Sequence, residues 1–165
     1  MTVSLKTQAA NVLNLYLWAV LQKNTDMDVT DYGGKIPIIP GGQDPDMLQY
    51  NKPFIVYGWS EDPGSYSGAN RSGTLVYAIY SQSTGEINQI MNIIIAALSE
   101  QDTARRINKW SSAYSGGGLM GIRFTDARIA FGEGASPADQ EGGREVATLT
   151  MRYDFVSTYP VDLNV

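Results

Sequence analysis

A chain of 165 residues with neither cysteine nor histidine has no disulfides, no thiolate nucleophile and no cysteine-based zinc or iron–sulfur site. It also lacks the commonest general base, metal ligand and pH switch. Twelve Lys and Arg against 17 Asp and Glu give a formal charge of −5, and no basic cluster exceeds Arg105–Arg106, so sequence-specific nucleic acid is disfavoured as a partner.

The length suits a single domain over residues 1–165, because one core can grow to about 100–200 residues before a chain splits. Charged residues form 18% of the chain and there are 10 tyrosines. That charge content is below the roughly 25% of average soluble domains. Protein interfaces are depleted in Lys, Glu and Asp and enriched in Tyr, Trp and Met, so the composition fits a protein that covers much of its surface in an assembly. No basic region followed by an apolar run and a cleavage site opens the chain, which predicts no export. The longest strongly apolar run, Ile90 to Leu98, is well short of the roughly 20 residues of a membrane span, and no membrane partner is expected.

From Ser4 to Lys23, Leu5, Ala9, Val12, Leu13, Tyr16, Leu17, Val20 and Leu21 form one stripe at helical spacing. Gln8, Asn11, Asn14 and Gln22 are expected on its solvent face. Leu15 and Trp18 lie off the main stripe, where they either widen the core contact or reach a neighbouring subunit. Residues 24–52 read as a long extended arm, broken by Tyr32-Gly33-Gly34, Pro37, Pro40-Gly41-Gly42 and Asp44-Pro45. Arms of this length are uncommon in compact domains and tend to be functional. Ile36 to Pro40 is expected to run extended along an edge or over a neighbour.

Phe54 to Trp59 is β-branched and aromatic and follows Pro53, as a strand start does. A polar loop, Glu61 to Gly73, leads to a second strand, Thr74 to Tyr80, apolar on both faces. Such a strand is central, and either covered on both sides or pressed against another chain. Ser83-Thr84-Gly85-Glu86 is a capping box, in which the Ser hydroxyl and the Glu carboxylate satisfy each other's backbone donors. The helix it opens carries Ile87, Ile90, Met91, Ile94 and Leu98 on one face and further apolar residues around it, which predicts burial on most sides. A short helix over Asp102 to Trp110 follows.

The last third reads as a hairpin. Ile122 and Phe124 share one phase, and Ala127, Ile129 and Phe131 the other, so a bulge or turn is expected near Thr125-Asp126. Residues 132–143 form a Gly-rich acidic loop. The closing strand alternates Ala147, Leu149, Met151, Tyr153 and Phe155 with Thr148, Thr150, Arg152 and Asp154. The whole predicts an α+β fold, an antiparallel-rich sheet with helices packed on one face.

Chemical motifs are few. Gly116, Gly118 and Gly121 match G-x-G-x-x-G by count but follow a helix and open a strand, the reverse of a dinucleotide site. Asp26, Asp28 and Asp31 would begin an EF-hand loop, yet its sixth position is Asp31 and its twelfth Pro37, where glycine and glutamate are needed. Glu61, Asp62 and Glu133 are candidate hydrolytic carboxylates, but nothing brings them together. No catalytic, cofactor-binding or metal-binding residue is therefore assigned, and a small-molecule-binding or carboxylate hydrolase domain is the minor alternative.

The order of elements resembles the tail terminator and tail completion proteins of long-tailed bacteriophages. The resemblance rests on "PFIVYGW" (53–59) after a Pro-rich arm, "GTLVYAIYSQSTGEINQIMNIIIAAL" (73–98), "RINKW" (106–110) and "ATLTMRYDF" (147–155). It implies a non-enzymatic virion protein of the tail or neck, assembled in the host cytoplasm. Such a protein forms a ring with itself, a hexamer in this family, that caps the tail tube and presents a docking face to the head–tail connector, with DNA able to pass the lumen. No cofactor is implied. The interface candidates are then Glu133, Asp139, Glu141 and Arg144 in the hairpin loop, Tyr66 and Arg71 in the other long loop, and Trp18 and Leu15 on the first helix. A head–tail connector or a tail-tube subunit of similar fold is the alternative within the same class.

Overall fold

A computed structural model describes residues 5–41, 52–61, 70–99, 106–107, 119–131 and 145–157. Helix α1 spans Leu5–Asn24, a 3-10 turn Val29–Tyr32, strand β1 Ile38–Pro40, β2 Phe54–Glu61 and β3 Asn70–Ser81. Helix α2 covers Thr84–Ser99, and strands β4 Leu119–Phe131 and β5 Glu145–Ser157 complete the α+β fold. The sheet runs in the order β1-β2-β3-β5-β4. Among the described strands only β1 and β2 pair in parallel; the other pairings are antiparallel. The link from β3 through α2 to β4 is therefore a crossover between two parallel strands, and β5 inserts between them.

Alternation along the strands decides which side is buried. Ile55, Leu75, Tyr77, Ile79, Ala147, Leu149 and Met151 are fully buried, and the register places them in shared cross-strand rows on one face. Helix α1 packs on α2 and β2, and α2 on β3 and β5. These contacts form one core with Leu13, Leu17, Leu21, Ile87, Ile94 and Leu98. The other face offers Val56, Val76, Ala78, Thr148 and Thr150, all half-buried. The doubly apolar strand is central, as its composition predicts, but among the described residues helices cover only one of its faces.

Asn14 departs from its expected place on the solvent side of α1. It is only 8% exposed, because the buried hydroxyl of Tyr77 donates to its Oδ1 at 2.7 Å. A core tyrosine needs an acceptor, and the helix supplies one from within its apolar stripe. The capping box also differs in wiring. The Ser83 N–H donates to Ser81 Oγ at 3.1 Å, and the Ser81 hydroxyl donates to Glu86 at 2.6 Å. Ser81 thus stands between the two expected partners, being the last residue of β3 and buried beside the helix start.

The phase break in the sequence of β4 is a bulge. The pairing shifts between Phe124 and Asp126 and again between Met120 and Arg123, so each shift adds one residue on β4 and the strand continues. Gly73 of β3 answers a different demand. A Cβ there would lie 2.5 Å from the Trp59 ring, so the indole occupies the space that any side chain would need. Of the short helix expected over 102–110, residues 106 and 107 are helical and Ile107 is buried; the rest lies outside the described residues.

Candidate interaction surfaces

Among the described residues no group of three or more Asp and Glu is arranged to hold a metal ion. The acids that do cluster have structural partners. Asp28 caps the 3-10 turn by accepting from the Thr30 N–H at 3.0 Å and from its hydroxyl at 3.2 Å. Gly33 closes the same turn in the left-handed region, φ 65°, where glycine is favoured. Thr84, the first residue of α2, donates to the carboxylate of Glu145, the first residue of β5.

A cavity of about 570 Å³ lies where α1 ends, and Lys23, Asp26, Lys52, Glu86 and Gln89 are among its lining residues. Two lysines and two carboxylates share it, so neither sign of ligand is drawn in by net charge, and Glu86 is already engaged by Ser81. The Tyr32 hydroxyl donates to the Pro53 carbonyl. Burial, with smaller contributions from Asp31 and Glu86, pushes that phenol well above its ordinary value. Burial does the same to Tyr77, with Tyr153 and Tyr57 adding to it, and to Tyr153. Phenols held so firmly protonated are poor bases at neutral pH, and their hydroxyls serve packing instead.

Three further surfaces carry half-buried or exposed apolar side chains. The first is the open face of the sheet, where Val56, Ala78 and Thr148 form one row and Gly58, Val76, Thr150 and Arg128 the next. One end of this face is closed. Phe54 stacks on Tyr80 with ring centroids 5.0 Å apart and planes at 7°, and Phe54 and Val146 are buried.

The second is a groove of about 250 Å³ between α1 and the β1 edge, lined by Asn11, Asn14, Leu15, Ile36, Ile38 and Tyr57. One of its two asparagines, Asn14, has a buried Nδ2 with no hydrogen-bond partner among the described residues. The third is Ile129 on β4, 45% exposed, the large apolar side chain most in solvent among the described residues.

Leu15, named from the sequence as an interface candidate, is half-buried on the groove wall. Trp18, the other candidate on α1, is 6% exposed and belongs to the core. Arg71 falls within β3, paired with Phe155, and not in a loop, because the strand begins at Asn70 and the loop is shorter than expected. Tyr66, Glu133, Asp139, Glu141 and Arg144 lie outside the described residues, as do Asp62 of the carboxylate alternative and residues 132–143. The sequence pattern singles out neither Ile129 nor Tyr57 as an interface position, while Ile36 and Ile38 fall in the segment expected along an edge or over a neighbour. The signal available for Ile129 was an isoleucine two residues from the end of an edge strand.

Comparison with protein families finds no match, and no curated protein matches either. Among solved structures, a chain from the virion of a native gene transfer agent particle is similar to this one. The two share 15% sequence identity with a TM-score of 0.45, over 85% of this chain and 94% of that chain.

Proposed function

We propose that this chain is a structural virion protein whose copies close into a ring that caps a phage tail tube and offers a docking face to the head–tail connector. The observation that carries the reading is the one-sided core. The central strand β3 buries Leu75, Tyr77 and Ile79 under two helices, while Val76, Ala78 and Tyr80 on its other face stay half-exposed. With exposed Ile129 and the groove at the two edges, apolar surface is left partly uncovered among the described residues. Contiguous exposed apolar surface marks interaction sites in soluble proteins, and contacts between unlike patches of identical chains generate rings when the rotation closes. The resemblance in order and pattern to tail terminator proteins supplies the placement in a tail.

Electron microscopy of the purified chain tests this reading. Discrete closed rings with a central opening are expected. Open-ended tubes would instead assign a tail-tube subunit, and isolated single copies at high concentration would overturn the ring altogether.

A further inference from the structure

The two edges of the sheet carry matching features. Tyr57, Tyr77, Leu149 and Ile129 form one cross-strand row from β2 to β4. Tyr57 lines the groove at the β1 edge, and Ile129 stands exposed at the β4 edge. Because the row alternates to a single side, knob and groove lie on the same face of the sheet and at the same level, on opposite edges. The groove, at about 250 Å³, is larger than an apolar cavity of roughly 150 Å³ that accepts benzene, so its volume suffices for a branched aliphatic side chain.

Charge and chain direction agree with a join between these edges. Strand β4 carries two arginines and one aspartate, with Arg128 on the sheet face opposite Ile129, whereas residues 26–40, which lead into and include β1, carry three aspartates and one lysine. Following the pairings from β1 to β4 shows that β4 runs opposite to β1. Two copies set side by side in the same orientation therefore bring these strands together antiparallel. Strand β1 is three residues long and ends in Pro40, which has no N–H to donate, so main-chain pairing there is short and side-chain packing must carry the contact.

We infer that Ile129 of one copy seats in the groove between α1 and β1 of the next, a head-to-tail contact made by a second copy of this chain. The inference rests on the ring reading and names the joint that repeats around it. Each copy then offers one knob and one groove, which is the arrangement a closed ring requires and a two-fold dimer does not.

The test uses Ile129→Glu, which spoils the knob, and Leu15→Glu, which spoils the groove, each checked for native circular dichroism; with the same charge on both, the spoiled knob and spoiled groove also repel each other in a mixture. Either variant alone is expected to sediment as a single chain, its association weakened by at least about 30-fold, the loss typical of an interface hot spot. Mixed one to one, they are expected to form a two-chain species and nothing larger, because the intact knob of one fits the intact groove of the other. Should Leu15→Glu fail to fold, a Leu15→Cys/Ile129→Cys variant takes its place. The chain has no cysteine of its own, so oxidation should give a non-reducing ladder in steps of one chain, which neither single-cysteine variant gives. Variants that assemble as the unaltered chain does, or a mixture that stays monomeric, would overturn the knob and groove while leaving the ring intact. An unaltered chain that never associates would overturn both.

Discussion

Neighbouring residues of β3 face two different environments. Leu75, Tyr77 and Ile79 sit fully buried beneath α1 and α2, and Tyr77 is tied to α1 by its bond to Asn14. Val76, Ala78 and Tyr80, one residue over, look out from a face that carries Thr74, Thr148 and Thr150 and no described helix. The covered face is built from large side chains that interlock with helices, and the open face centres on small and β-branched ones that leave it flat. One face holds the fold together; the other carries no described helix. Substitutions on the two sides should therefore differ in what they cost the fold.

The largest difference should appear between Leu149→Ala and Val76→Ala. Removing the Leu149 side chain from the covered face should cost about 2–5 kcal/mol of unfolding free energy in a urea titration, the range for emptying a packed core position. Val76→Ala, on the half-exposed face, should cost under about 1 kcal/mol, because little buried volume is lost. Equal costs would erase the distinction between the faces.

Gly73→Val should come next. The added side chain meets the Trp59 ring, against which even a Cβ lies at 2.5 Å. A loss of about 1–3 kcal/mol is expected from overpacking, with a red shift of tryptophan emission as the indole is displaced. A stable variant with unchanged emission would show that the ring has room to move.

Tyr77→Phe should be milder, costing about 1–2 kcal/mol by stranding the Asn14 carbonyl oxygen in the core. Adding Asn14→Leu should recover much of that loss, since removing both partners of a buried hydrogen bond is close to neutral. The same buried phenols set the alkaline limit of the fold. Tyr32, Tyr77 and Tyr153 all titrate above the ordinary tyrosine value of 10.0 when folded. Above about pH 10 the unfolded chain releases these protons while the folded chain keeps them. Stability is thus fully present below that pH and falls as pH rises further. Phenylalanine at Tyr153, whose hydroxyl donates to the Met151 sulfur at 3.4 Å, should make that fall less steep.

What could be read from the sequence was periodic and local. The alternation from Ala147 to Tyr153 marks β5, the helical stripe from Val12 to Leu21 marks α1, and the phase break at Thr125 marks a bulge. What escaped depends on distant partners. Asn14 occupies a polar position by spacing, and only Tyr77, 63 residues away, gives it a reason to be buried. Ser81 enters the helix cap because β3 delivers it there. Ile36 to Pro40 reads as extended, but its parallel pairing with β2 is a tertiary fact that no local pattern carries. The groove follows from that pairing together with α1, so neither segment announces it alone. Ile129 is apolar by sequence like any core strand residue, and its exposure follows from β4 being at the sheet edge.

The proposed ring depends on identical copies meeting through apolar surface that their own cores leave uncovered. Sedimentation velocity of the unaltered chain over a wide dilution series addresses this most directly. A single sharp species at a fixed whole-number multiple of 18.0 kDa, persisting on dilution, is the predicted result. A boundary at the mass of one chain at every concentration would contradict it.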